Sequence, residues 1–250
     1  MSSIENSKIN NNSSRVYALF YSFFLIPLMI TIFGVLFFFL FKILTYEEQD
    51  PYHLLNNIKS GSQTKRWQSA YELSNLMTDP ERIPEDQFFV NQMITMYKNS
   101  IHDDSRVRTY LALAMGQTSN IVFGEVLLDG LNDKNIENRI AAIKALGSIQ
   151  YIKSARNLNK LVLSSNISQQ EKLAAIISLG QIKDKSSIPV LLKALNDEEA
   201  NIRWDAAISL TKIGSNKGIP IIEKLLRRDY YSNYPNVDEN EINNSMLTIL

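Results

Sequence analysis

The sequence predicts an all-α protein: one membrane-crossing helix near the amino end, followed by an α-solenoid of stacked helix pairs. An unbroken apolar run near the start predicts the first part. A helix-spaced pattern that recurs along the rest of the chain predicts the second. The chain has 250 residues, of which 45% are hydrophobic and 21% charged. That is too apolar for a disordered chain, and the length suits one or two folded units.

From Val16 to Phe41 there are 26 consecutive uncharged residues, bracketed by Arg15 and Lys42. Such a helix is about 39 Å long, more than the roughly 30 Å hydrocarbon core of a bilayer, so it can span with some tilt. Pro27 and Gly34 are poor choices for a soluble helix but are tolerated in a membrane, where local adjustment satisfies the freed backbone. A cleavable signal has an apolar region of roughly 7 to 15 residues before small residues; this run is longer and ends FKILTYEEQD, which favours a retained anchor. A buried core helix would show polar positions at helical spacing, and none occur. Lys8 and Arg15 on one flank against Lys42 on the other favour an amino terminus in the cytoplasm and the large domain outside. The expected divisions are a polar tail over residues 1–15, an anchor over 16–44, a solenoid over 45–228 and a Tyr- and Asn-rich loop with a capping helix over 229–250.

Five segments then align on a basic residue: Arg66, Arg108, Arg139, Lys172 and Arg203, spaced by 42, 31, 33 and 31 residues. A small side chain follows three or four places on (Ala70, Ala112, Ala142, Ala175, Ala206). Seven places on stands Leu or Met (Leu73, Met115, Leu146, Leu179, Leu210). These offsets, with an apolar residue at +10 in four of the five, make one side of an α-helix. Gly stands at +8 in three copies. A shorter amphipathic stretch precedes each copy: 52–58, 87–97, 121–131, 155–163 and 188–195, with a sixth at 219–226. Turns such as LNDKNIEN and LNDEEAN separate the two helices of a pair, and Pro189 and Pro220 fall near helix starts, where a missing amide hydrogen costs nothing. Single pairs cannot bury an apolar face, but stacked neighbours can.

The unit Ile188–Leu210, IPVLLKALNDEEANIRWDAAISL, resembles a HEAT-like repeat of the short bacterial type. The resemblance covers about residues 50–250 and is clear from Ile121 to Arg228. It implies a right-handed solenoid whose turn Asp and second-helix Arg form a ladder between neighbouring repeats. Asp133 with Arg139 and Asp197 with Arg203 match that pattern. Ser60, His102 and Asn166 depart from it, although Asp103 and Asp104 are available in the second unit, so an incomplete ladder is expected. The segment PYHLLNNIKSGSQTKRWQSAYELSNLM also resembles bacterial proteins in which one anchor precedes such repeats.

Composition excludes much chemistry. Without cysteine there is no disulfide framework, thiol nucleophile, Cys-based zinc site or iron-sulfur cluster. His53 and His102 stand apart, and neither supplies the His-Glu pair of the HEAT-like di-iron hydroxylases. The repeat-built lyases that attach bilins share the repeat, but no lyase motif maps here. The balanced charge, 26 basic against 26 acidic residues, argues against nucleic acid as a partner. Trp67 and Trp204 directly follow the basic repeat residue, where other copies hold Ile140 or Leu173, so both read as packing residues rather than a glycosylase centre. No phosphate loop or nucleophile elbow occurs. No enzyme activity and no cofactor or metal are expected.

On the second helices the +2, +6 and +9 positions form a stripe away from the core. Its candidate partner-binding residues are Gln68, Glu72 and Asn75 in the first copy, Tyr110 and Gln117 in the second, and Ser148, Gln181, Asp205 and Lys212 in the later ones. This small, amide-rich surface suits a protein or peptide better than phosphate, although it also reads as an ordinary wetted face. Tyrosines clustered after Arg228 add a second candidate contact surface. The expected function is a membrane-anchored scaffold or adaptor that grips a protein partner on its concave face. The alternative is an accessory or regulatory subunit of a transporter-like membrane complex.

Overall fold

The computed structural model describes residue 17 and residues 19–44, 50–234 and 237–249, in two compact units, Met1–Glu48 and Gln49–Leu250. The polar tail expected over residues 1–15 lies outside the described residues.

The described part of the first unit is one helix, a π-helical turn at Tyr21–Leu25 running into α1, Ile26–Leu44. Pro27 accounts for the wide turn. It has no amide hydrogen for the carbonyl of Phe23, and one residue earlier the Ile26 amide donates to Tyr21 O, five residues back. Thr31 Oγ1 donates to the Pro27 carbonyl at 2.9 Å and restores one bond. The stretch Tyr21–Ile43 is long and apolar enough to cross a membrane, and none of it is buried within the protein.

The second unit is an α-solenoid. First helices are α2 (Pro51–Ser60), α4 (Gln87–Asn99), α6 (Gly124–Gly130), α8 (Ala155–Leu163), α10 (Ile188–Ala194) and α12 (Ile219–Leu225). Second helices are α3 (Gln63–Leu76), α5 (Ser105–Gln117), α7 (Ile136–Ser148), α9 (Gln169–Ile182) and α11 (Ala200–Lys212). Side-chain caps start them: Asp50, Ser62, Asp86, Asp104 and Asn135 each accept an orphan amide of the first turn, and Ser168 with Glu171 forms a full capping box. The repeat residues predicted from spacing fill the core; Ala70, Leu73, Ala112, Met115, Ala142, Leu146, Ala175, Leu179, Ala206 and Leu210 are all fully buried. Each second helix packs directly on the next, whereas successive first helices touch much less. The second helices therefore occupy the inner side of the stack.

A ladder of polar rungs joins neighbours, and it is complete. Arg66 pairs with Asp103 at 2.8 Å, Arg108 with Asp133 at 2.7 Å, Arg139 with Glu171 at 2.5 Å, and Lys172 with Asp197. Arg203 reaches the Tyr234 hydroxyl at 3.3 Å. The expectation of an incomplete ladder is corrected: the basic residue reaches forward to the next repeat, so an acid anywhere in that turn or first helical turn serves, as Asp103 and Glu171 do. Within their own repeats Arg139 and Arg203 bind the Asp133 and Asp197 main-chain carbonyls, each at 2.8 Å, not their carboxylates.

The carboxyl end differs from the expected loop. Residues Arg228–Asn233 form a short 3-10 helix that turns Tyr230, Tyr231 and Tyr234 onto Trp204, with ring centroids 5.1 to 6.3 Å apart. Tyr231 is buried and donates to Leu225 O at 2.9 Å. The cluster packs on the last second helix, with Tyr231 buried and Tyr230 and Tyr234 half-buried. A last helix, α13 (Glu239–Ile249), follows. Trp204 is itself buried, and the Arg106 guanidinium lies 4.1 Å over the half-buried Trp67 ring.

The Arg108–Asp133 rung is the buried one, with only 6% and 8% of each side chain exposed. Arg108 also stacks on the Tyr97 ring at 4.0 Å, and Asp133 caps the Asn135 amide and accepts from Asn138 Nδ2. Removing one member strands a buried charge. Asp133→Ala is expected to lower stability by about 3 kcal/mol, and Arg66→Ala at the more open first rung by about 1 kcal/mol. Urea unfolding followed by circular dichroism measures both; equal losses would contradict this account.

Candidate functional site

The inner surface is set by how closely second helices approach. Gly116, Gly147 and Gly180, at +8, face the +6 residues of the next repeat, Ala145, Ser178 and Ser209. A Cβ on Gly180 would lie 2.5 Å from Ser209 Oγ and 2.9 Å from its Cα. The two serines are held further: Ser178 Oγ donates to Ile143 O and Ser209 Oγ to Ile176 O, both at 2.9 Å across the helix–helix contact. The small residues at +6 are thus required by packing.

This revises the predicted stripe. In the central copies the +2 and +6 residues Ala141, Ala145, Ala174, Ser178 and Ser209 are buried between helices. Gln68 is exposed and Glu72 half-buried because α3 has no second helix stacked before it, and Tyr110 makes an edge-on pair with Tyr71 at 5.2 Å. The +9 residues Asn75, Gln117, Ser148 and Lys212 are exposed and Gln181 half-buried. In the first four copies the solvent-facing row runs through +5 and +9, so sequence reasoning missed Tyr71, Leu113, Lys144 and Ile177 at +5, of which Tyr71, Lys144 and Ile177 are exposed; at +1, Trp67, Ile140 and Leu173 are half-buried against the core and Trp204 is buried, as is Ile208 at +5 of the fifth copy.

A second row was also missed. At +11 every copy from the second to the fifth adopts the left-handed conformation that closes a helix: Ser119 (φ +53°), Gln150 (+51°), Lys183 (+60°) and Gly214 (+88°). Gly214 has nothing within 4 Å of a would-be Cβ, so this register has room for a side chain. Three copies carry one although left-handed backbone costs a non-Gly residue roughly 1 kcal/mol. The alignment of Gly214 with Ser119, Gln150 and Lys183 was the available signal.

The two rows meet in a cleft of about 260 Å³ lined by Gly147, Ser148, Gln150, Gln181, Lys183 and Lys212. A larger hollow, about 500 Å³, lies further along between the Pro80–Pro84 insertion and the turn Gln117–Asn120. The insertion is what lengthens the first spacing to 42 residues. Asp205, predicted to meet a partner, is mostly withdrawn from solvent on the same helical face as Ser209. Burial pushes its carboxyl up to about 6, with Lys212 pulling the other way.

These features define a class, the α-solenoid built from helix pairs with an inner row of second helices. Residues 157–234 match the family model of HEAT repeats. Among solved structures, the complex of CpcE and CpcF of phycocyanin lyase from Nostoc sp. PCC7120 is 15% identical with a TM-score of 0.59, the match covering 82% of this chain and 97% of that one. An engineered protein is 19% identical with a TM-score of 0.50, covering 81% of this chain and 95% of that one. Both likenesses concern the fold. No curated protein sequence matches the chain.

The Asp205 carboxyl gives a pH test. Its folded value lies above the ordinary 3.8, so the folded state holds the proton more tightly and stability contributed by the neutral acid is lost as pH rises from about 4 through about 6. Asp205→Asn is expected to be more stable than the parent at pH 7.5 by on the order of 2 kcal/mol and equal to it near pH 3.5. Thermal melts of both proteins across that range measure it; an equal gap at both pH values would contradict the assignment.

Proposed function

We propose that this protein is a membrane-anchored scaffold that binds a protein partner along the inner row of its second helices, without catalysis and without a cofactor. The observation that carries the reading is the row at +5 and +9 of the first four copies, in which exposed Tyr71, half-buried Leu113, and exposed Lys144 and Ile177 stand on successive second helices, with half-buried Tyr110 edge-on beside Tyr71. A row of aromatic, aliphatic and cationic side chains on a rigid stack gives a long, shape-defined surface, the kind solenoids use for partners. Gln68, Glu72, Asn75 and Gln117 border it at the amino-terminal half, with Ser148, Gln181 and Lys212 beyond.

The apolar helix supports the anchor. Tyr21–Ile43 exposes its whole circumference, which suits lipid around it and not a water-soluble core. Anchoring then raises the local concentration of whatever the inner row binds. The side of the membrane follows only from the flanking charges, which favour the solenoid outside.

The test uses the full chain in cells, with a photo-crosslinking amino acid placed at Tyr71, Tyr110 or Ile177 on the inner row, or at Arg156 or Lys160 on an outer helix. Specific adducts to one protein are expected from the inner positions alone, and the chain is expected to stay in the pellet after alkaline carbonate washing. Adducts spread equally over both faces would sink the scaffold reading; release by carbonate would sink the anchor.

A further inference from the structure

We infer that the cleft formed by Ser148, Gln150, Gln181, Lys183 and Lys212 takes an extended acidic segment of the partner protein. The assignment rests on the scaffold reading and specifies the partner's chemistry at one end of that surface.

Charge carries the argument. Although the net charge is zero, the charges are sorted by edge. The turns that lead from first to second helices hold Asp103, Asp104, Asp133, Asp197, Glu198 and Glu199. Over the last three repeat junctions, the turns on the opposite edge hold Lys153, Lys183, Lys185 and Lys217. Lys153 is paired with Glu125 at 3.1 Å. Lys183 and Lys212 make no ion pair among the described residues, nor does Lys144, exposed one turn before Ser148. Two carboxylates of the same repeats, Asp184 and Asp205, form no ion pair with them. Asp184 accepts from the Ser186 amide at 3.0 Å and its hydroxyl at 2.7 Å, and Asp205 is half-buried, its carboxyl raised by desolvation with Lys212 opposing. The cleft lining itself holds two lysines and no acid.

Shape and hydrogen-bonding capacity select a peptide. Gln150 and Gln181 offer both donors and acceptors, the pairing an extended main chain needs, while an anion alone uses only donors. Adjacent helices lie about 8–10 Å apart, the reach of about three extended residues, so Lys183 and Lys212 on neighbouring repeats meet acidic side chains a few residues apart on one strand. An anionic bilayer surface would instead call for a flat cluster of four or more basic residues. Gln150 and Lys183 occupy the left-handed positions that close α7 and α9, a register in which Gly214 leaves open space around a would-be Cβ.

The test uses the full chain in nanodiscs of neutral lipid and a fluorescein-labelled peptide of alternating Glu and Ser, against the same peptide with Gln for Glu, read by anisotropy. The Glu peptide is expected to bind about tenfold tighter, losing the advantage at high salt, and Lys183→Gln with Lys212→Gln is expected to abolish the preference while helix content stays unchanged. Equal binding of the two peptides, a preference that survives the double substitution, or lysine-dependent binding of phosphatidylserine vesicles in place of the peptide would each overturn it. If the peptide fails while inner-row crosslinks persist, the acidic segment alone is wrong; if both fail, the scaffold reading falls with it.

Discussion

The fold depends on a two-point contact between successive second helices. At one end a basic residue reaches forward to a carboxylate, or in the last case a hydroxyl, of the next repeat. At the other end a glycine admits a small residue of that next repeat, in three successive junctions. One contact would leave neighbouring helices free to swivel about it. Two contacts on opposite ends fix both crossing angle and register, so each repeat inherits its orientation from the one before. The hydrophobic core supplies most of the stabilisation, but it is tolerant of small rotations in a way that an ion pair and a glycine contact are not.

That constraint decides what the inner surface can display. About 100° separates successive residues on a helix, so +2 and +6 lie near 200° and 240° and +1 and +5 near 100° and 140°, with +9 between them at about 180°. The neighbour's glycine claims the +6 side. The +1 residues Trp67, Ile140 and Leu173 pack against the core on the other side, so what remains for solvent is the +5 position, plus the shared +9 row. Ser178 and Ser209, which look like a wetted surface in sequence, spend their hydroxyls on carbonyls of the preceding helix. Glu72 escapes because its helix is the first second helix of the stack.

The fold class was legible because both helices of a pair keep apolar residues at helical offsets and the unit recurs. Of the two turns read as caps, LNDKNIEN supplies one through Asn135, which satisfies amides locally and needs no tertiary partner, whereas LNDEEAN starts its helix without a side-chain cap. The candidate site was half legible. Its +9 members were found because they lie on either version of the stripe, whereas the choice between +2/+6 and +5 depends on which flank the next repeat covers, and a single helix does not encode that. Rungs such as Arg139–Glu171 were missed for a similar reason: the partner acid lies 32 residues on and at a different place in its turn. The tyrosines after Arg228 read as a polar loop because their burial depends on Trp204, a residue distant in sequence but at the open end of the stack.

The sorting of charge follows from the ladder. Each rung needs an acid where a first helix turns into a second, so carboxylates accumulate on that edge, and the arginines that answer them are drawn in alongside. On the opposite edge Lys153 meets Glu125, whereas Lys183 and Lys212 make no ion pair among the described residues. Lys183 and Lys212 converge on a cleft. The same stacking that makes the solenoid rigid holds these two exposed ammonium groups in register, so an acidic segment laid along the cleft meets both at once.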